Sequence, residues 1–404
     1  TSDPYSARWV CPLLPGQATP VMIANVGGAT ASLRTTLREA GAQAQPATRE
    51  LAGGATQQLS PRPQKPAYLQ VEAFSAPVVV TAPGLGCAPG PGNRWWLPAS
   101  DTRVGTDTQV IIVNPDSQPA VVDLVPHLTS GSIRPEREVF IQPGQTVLRR
   151  LGDDAPAGLK PSIEVVARAG RVVVGASVSS GGGAPTLLPA QGAARPAWLF
   201  AGGLSGGGRQ AQVLVTNPNP APLQVDLRVA TAEGSFRPPG EFDEPIANGG
   251  TAELTIPTLE VKGPFAVQVR SVSGAPFVAA LRVSEGDGTR TTSRIDLGTG
   301  QAERGWLVPG PPGGGQLVLA NLTSTELEAR LGKLGAGGSG TPVRVPPGRV
   351  ALHKVPDGAE NLLVESASAG LVAAPLEGGP IVPGSAVGGL PAGGPIVPGP
   401  AAAP

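Results

Sequence analysis

Two histidines and two cysteines among 404 residues leave little material for metal or nucleophile chemistry. His127 and His353 stand far apart, and neither has a ligand-type partner two or four positions away, the spacing that would aim two side chains at one ion. Both read as strand-face residues. No apolar run approaches the roughly eighteen residues of a membrane span. No cleavable signal peptide is visible, and the chain opens at Thr1. A targeting or anchoring segment removed upstream fits that start, so membrane association is expected only through such a segment, absent from this chain. Thirty basic and thirty acidic residues cancel. With no Lys/Arg stripe to follow a phosphate backbone, nucleic acid is not an expected partner. Lysine itself is scarce, five of the thirty cations, and the Ala, Gly, Pro and Arg excess resembles the output of a GC-rich genome. No glycine loop ends in Gly-Lys-Ser/Thr, and no cofactor is expected.

Glycine (57) and proline (47) are abundant enough to raise low-complexity disorder. The pattern between them argues otherwise. Gln109 to Asn114, Val121 to Val125, Ile163 to Val166 and Phe265 to Val269 are short runs rich in β-branched residues, separated by turn formers. Such punctuation predicts an all-β protein.

The tryptophans reveal a repeat. Trp9, Trp95 and Trp306 open Trp-x-x-Pro, while Trp198 keeps the Trp and lacks the Pro; the steps between them are 86, 103 and 108 residues. After each comes an alternating apolar run ending in asparagine, at Asn25, Asn114, Asn217 and Asn321, which lie 16, 19, 19 and 15 residues beyond the Trp. A polar strand, a Gly-containing turn and a second turn follow, at Gly53-Gly54, Pro143-Gly144, Gly249-Gly250 and Pro347-Gly348. Two apolar strands close each copy. The second copy reads as about seven short strands between Trp95 and Ser179, the pattern of an immunoglobulin-like or fibronectin-like sandwich. The expected architecture is therefore a tandem array of four such β-sandwich units, over residues 1–92, 93–194, 195–303 and a shorter 304–378. A propeller blade or a solenoid remains open on repeat count alone. The four register tryptophans should fill the cores. Residues 379–404, with Gly-Pro-Ile-Val-Pro-Gly twice, should form a loose polyproline-like tail.

Trp-x-x-Pro, strands ending in Asn-Pro (Asn114-Pro115, Asn217-Pro218) and the Pro-Gly turn together resemble an uncharacterised family of exported actinobacterial envelope proteins built on a domain of unknown function. The resemblance runs from about Trp9 to Gly378. It implies an extracytoplasmic location, secreted or attached to the envelope, and an N-terminal membrane segment in family members. It carries over no functional residues.

Chemistry is thinly supported. Gly203-Leu-Ser205-Gly-Gly207 matches G-x-S-x-G, but a nucleophile elbow needs strand, turn and helix, whereas Ser205 lies in a glycine run between two strands. Asp153-Asp154 and Glu285-Gly-Asp287-Gly288 offer carboxylates for calcium; their plainer readings are a solvated loop and a tight hairpin turn. Asn321-Leu-Thr323 matches a glycosylation sequon while occupying the recurrent Asn position. Trp96 is outside the repeat register. Alternation turns it away from Trp95, so it either stands exposed to stack on a sugar or anchor a protein, or packs against the loop around Gly84 to Gly92. Cys11, on the first strand, and Cys87, after the last strand of the first unit, should form a disulfide, since first and last strands of a sandwich come close. That bond would place the chain in an oxidising compartment. The expected function is a non-enzymatic structural or scaffolding role in the cell envelope, the alternative being recognition of a glycan or protein through exposed aromatics and inter-unit grooves.

Overall fold

The computed structural model describes residues 7–376 apart from 83, 134–137, 181–184, 240–243, 259, 287–290, 303–304, 309–314, 335–339 and 356–361. The Gly/Pro tail and the Asp287-Gly288 turn lie outside the described residues. The protein is all-β, its regular structure being antiparallel sheets of three to five strands with one short 3-10 turn at Leu151–Asp153.

The strands fall into successive sets. In the first are β1 (Ala7–Leu13), β2 (Val21–Asn25), β3 (Ala31–Glu39), β4 (Gln45–Leu51), β5 (Thr56–Leu59), β6 (Ala67–Phe74) and β7 (Val78–Thr81). They form one sheet in the order β1-β6-β3-β4 and another in the order β5-β2-β7. The second set comprises β8 (Arg94–Leu97), β9 (Thr106–Val113), β10 (Ala120–Leu128), β11 (Gly131–Ser132), β12 (Glu138–Ile141), β13 (Thr146–Arg150), β14 (Ser162–Ala169), β15 (Val173–Ser180) and β16 (Thr186–Pro189). Its sheets run β8-β14-β10-β11, with β12 also on β10, and β13-β9-β15-β16. Next come β17 (Ala197–Ser205), β18 (Arg209–Thr216), β19 (Val225–Ala230), β20 (Ser235–Phe236), β21 (Thr251–Thr255), β22 (Gly263–Ser271), β23 (Val278–Gly286) and β24 (Thr291–Asp296), ordered β17-β22-β19-β20 and β21-β18-β23-β24. The last are β25 (Gly305–Val308), β26 (Gly315–Asn321), β27 (Leu327–Lys333), β28 (Thr341–Val345), β29 (Val350–Val355), β30 (Leu362–Ser366) and β31 (Leu371–Pro375), ordered β25-β30-β27-β28 and β29-β26-β31.

In every set the first strand pairs with the penultimate core strand and the second strand sits between its two partners. Immunoglobulin sheets group the first, second, fifth and fourth strands against the third, sixth and seventh. Relative to that order, the first and fourth strands here join the sheet of the third and sixth, and the seventh joins that of the second and fifth. Alternation reports which residues face inward but not which strands are neighbours, so the change of sheets is invisible in the residue pattern.

The two sheets of a set share one core. In the first, Trp9, Leu33 and Val71 from one sheet meet Ile23 and Val80 from the other. The register tryptophans are all buried. Nε1 of Trp95, Trp198 and Trp306 donates to the carbonyls of Val172, Phe277 and Leu371 at 2.7, 2.8 and 2.9 Å, each at the entry to the last core strand. Trp9 Nε1 has no partner.

The recurrent asparagine has one role in all four sets. Asn25, Asn114, Asn217 and Asn321 are wholly buried. Each side-chain oxygen accepts from the backbone N–H two residues on, at Gly27, Asp116, Asn219 and Thr323. Each Nδ2 donates to the carbonyl four residues on, at Ala29, Gln118, Ala221 and Thr325. It also donates across to the opposite sheet's side, at Leu51, Ile141, Ile246 and Val345. A short amide folds the loop after the second strand and ties the two sheets together, which an apolar or charged side chain cannot do.

Candidate functional site

The residue after each register Trp points away from its own core. Val10, Trp96, Leu199 and Leu307 occupy this slot, and they are 0, 1, 4 and 0 % exposed. Val10 belongs to the core of the second set. Leu199, with Ala201, Ala230 and Ala266, joins the core of the fourth. Leu307 and Leu334 pack with Ala24 and Val79 of the first set, so the two ends of the described chain touch.

Trp96 is therefore buried rather than exposed. Its ring lies 5.3 Å from that of His127, tilted by 50°, and its backbone exchanges two hydrogen bonds with Gln191. Alternation correctly turned it from Trp95; the face it joins is covered rather than open to water. Gln191 Nε2 donates to the carbonyls of Ala279 and Leu297 at 2.7 Å each, reaching the third set. His127, buried, meets the Gly249 carbonyl through Nδ1 (2.8 Å) and Glu164 through Nε2 (3.1 Å). A carbonyl oxygen only accepts, so Nδ1 donates to it, and the other oxygen of Glu164 is 3.0 Å from Arg94 Nε. His127 thus cross-links two sets, as sequence alone gave no means to see.

A second buried charge sits between the third and fourth sets. Arg294 donates to the carbonyls of Leu376 (2.9 Å), Pro375 (3.4 Å) and Gly202. Burial lowers its pKa, and burial raises that of neighbouring Asp296, against which the Gly298 N–H and Arg294 act. Fixing the last strand in place is work these groups can do.

The catalytic motif places Ser205 at the end of β17 with Oγ buried and unpartnered. Gly206, Gly207 and Gly208 all have positive φ and return the chain into β18, so no helix follows the serine. His353 lies on β29 of the fourth set, opposite Leu317. Asp154 is engaged twice by Arg149, at 2.8 and 2.9 Å, and Glu285 pairs with Arg209 at 3.1 Å. Asn321 is buried with both side-chain ends bonded, which removes it as a glycosylation acceptor. Among the described residues no three His, Cys, Asp or Glu side chains cluster as a metal site, and no helix is long and apolar enough to cross a membrane.

Cys11 and Cys87 form the disulfide, with Cα atoms 4.2 Å apart. The bond does more than close the first set. Cys87 lies between Leu85 and Ala88, which belong to the core of the second, so the staple holds the linker that docks the two.

A groove opens where loops of the fourth set overhang the outer face of the β17-β22-β19-β20 sheet. It consists of two adjoining recesses of about 220 and 460 Å³ that share Gln268, Leu322 and Thr323. Arg270 borders the first; Arg228 and Ser324 border the second.

A family of unknown function, DUF5719, matches residues 81–345. That is more than half of the chain, which therefore belongs to this family. The match begins at the end of β7, leaving most of the first set outside it, a shorter span than the resemblance in the motifs suggested. No curated protein matches the chain.

Proposed function

We propose that this DUF5719 member is a non-enzymatic, exported structural protein of an actinobacterial cell envelope, in which four copies of one seven-strand sandwich dock head to tail and close into a single ring-like body. The units run over 1–92, 93–194, 195–303 and 304–378. The observation that carries the reading is the outward slot: Val10, Trp96, Leu199 and Leu307 are all buried, and the fourth is covered by Ala24 and Val79 of the first unit. A rod of stacked domains would leave that last slot in water, since its terminal unit has no successor. Burying such a side chain is worth about 1.5 to 3 kcal/mol, and each junction buries several.

Export is supported by the disulfide, a bond that persists in oxidising compartments. The family's lack of a known activity leaves the scaffold role as a reading of shape: a closed body of docked sandwiches holds surface loops in fixed relative positions. The test is fractionation of the source cells followed by thiol labelling. Envelope or medium fractions with both cysteines resistant to labelling are expected. Recovery in the cytoplasm with two reactive thiols would overturn the reading. A recognition role is favoured by one feature, the open groove between the third and fourth units.

A further inference from the structure

At the junction of the first two units a carboxylate crosses from one to the other. Asp116, two residues after the recurrent Asn114, places its oxygens 2.9 Å from Arg8 Nη1 and 3.0 Å from Arg171 Nη2. Arg8 also donates to Gln70 at 3.1 Å, and Gln70 sits opposite Val10, the outward slot. The third unit keeps the amide of this arrangement but moves the arginine: by register Ala197 stands where Arg8 does, and Arg270 stands where Glu72 does, opposite Asp226. Gln268 sits opposite Leu199, in the register of Gln70. Its amide oxygen, correctly oriented, accepts from Arg270 Nε and Nη2 at 3.3 and 3.0 Å. The position two residues after the recurrent Asn321 is Thr323, not an acid.

Arg270 therefore has an amide but no ion pair among the described residues. Arg228 has a loose one, sharing Asp226 with Arg237 at 3.5 Å each. Where Asp116 fills the first junction, the third opens into the paired recesses. The single Thr323 Oγ1 proton lies between Asn321 Oδ1 (2.8 Å) and the Thr325 carbonyl (3.0 Å), so the oxygen offers a lone pair to a ligand hydroxyl. Ser324 adds a hydroxyl and Leu322 an apolar surface.

We propose that this groove binds a carboxylate-bearing sugar. The ligand's carboxylate meets Arg270 and Arg228. Its ring lies over Leu322, and its hydroxyls meet Thr323 and Ser324. A planar guanidinium suits a carboxylate, and a wall of hydroxyls and amide beside one aliphatic side chain suits a ring with polar edges and an apolar face. This inference goes beyond the structural role and does not depend on the closing contact between first and fourth units.

The test is titration of the whole protein with a digalacturonate, followed by amide shifts in NMR spectra. Digalactose serves as the uncharged control and a free-carboxyl dipeptide as the carboxylate without a sugar. Saturable shifts at Thr323, Ser324 and Gln268 with the acidic sugar, at least about tenfold weaker with either control, are expected, because an unpaired guanidinium discriminates for charge. R270A should weaken binding at least about tenfold. T323D puts an acid inside the groove that Arg270 and Arg228 border, and should abolish binding while raising the thermal midpoint. Equal binding of digalactose or of the dipeptide, absence of saturable shifts, or undiminished binding by T323D would each overturn the proposal. T323D keeps every arginine, so it decides the matter even if R270A folds poorly.

Discussion

Replacing the recurrent asparagines one at a time tests whether four parts of the chain are copies of one physical device. In Asn114→Ala, the carbonyls of Gln118 and Ile141 lose their donor and the Asp116 N–H loses its acceptor. The Ile141 contact is buried, and the other two lie where water reaches in part. An orphaned buried polar group costs about 1 to 3 kcal/mol, so one full and two partial losses come to about 2 to 4 kcal/mol. Asn→Asp keeps the shape and the acceptor but aims a carboxylate oxygen at two carbonyl oxygens. At neutral pH it should destabilise more than Ala, and acid should narrow the gap, since a protonated carboxyl can donate one of the two bonds. Urea unfolding read by tryptophan fluorescence gives the shift in midpoint at constant slope. All four positions should respond in the same order, Asn above Ala above Asp. Costs below about 1 kcal/mol, or Asp better tolerated than Ala at pH 7, would refute the hydrogen-bond reasoning.

Tryptophan to phenylalanine changes should separate the first unit from the rest. Trp95, Trp198 and Trp306 each lose a hydrogen bond worth about 1 kcal/mol beyond the change in packing, whereas Trp9 has none to lose; four equal costs in urea would contradict this. Removing the disulfide with Cys11→Ser and Cys87→Ser together should cost about 4 kcal/mol on the chain-entropy estimate for a 76-residue separation. It should also raise amide exchange in the linker carrying Leu85 and Ala88, and exchange changes confined to the first unit's own strands would refute the link to docking. Trp96→Ala should destabilise by about 3 to 5 kcal/mol, as for a core residue, while a near-neutral effect in thermal unfolding would show that its slot is not buried.

The sequence disclosed the local features and missed the pairings. Alternation around Trp95 and Trp96 gave their opposite faces, and the repeat of Trp and Asn gave positions that prove buried in every set. The second set has the seven strands expected between Trp95 and Ser179 and adds Gly131–Ser132 and Thr186–Pro189. The first addition is only two residues long, and the second, Thr-Leu-Leu-Pro, has too little alternation to announce itself. What alternation cannot express is what covers an outward face. Trp96 was open to two readings because its covering residues lie on strands far along the chain. The Arg8 to Asp116 pair spans 108 residues, and the contact of Leu307 with Ala24 and Val79 spans more. The groove beside Arg270 is lined by residues of β17, β19, β22 and the loops of the fourth set, which no local pattern brings together.

Small-angle X-ray scattering of the purified chain measures the closed arrangement most directly. A compact body of this length has a radius of gyration of about 22 Å, and a closed ring of four units lies slightly above it, at about 25 Å. Four domains of about 13 Å radius of gyration each, joined end to end, would give about 40 Å. The closed arrangement predicts a value near 25 Å that rises when Leu307→Asp charges the contact with Ala24 and Val79. A wild-type value near 40 Å, with the pair-distance distribution of a rod, would contradict it.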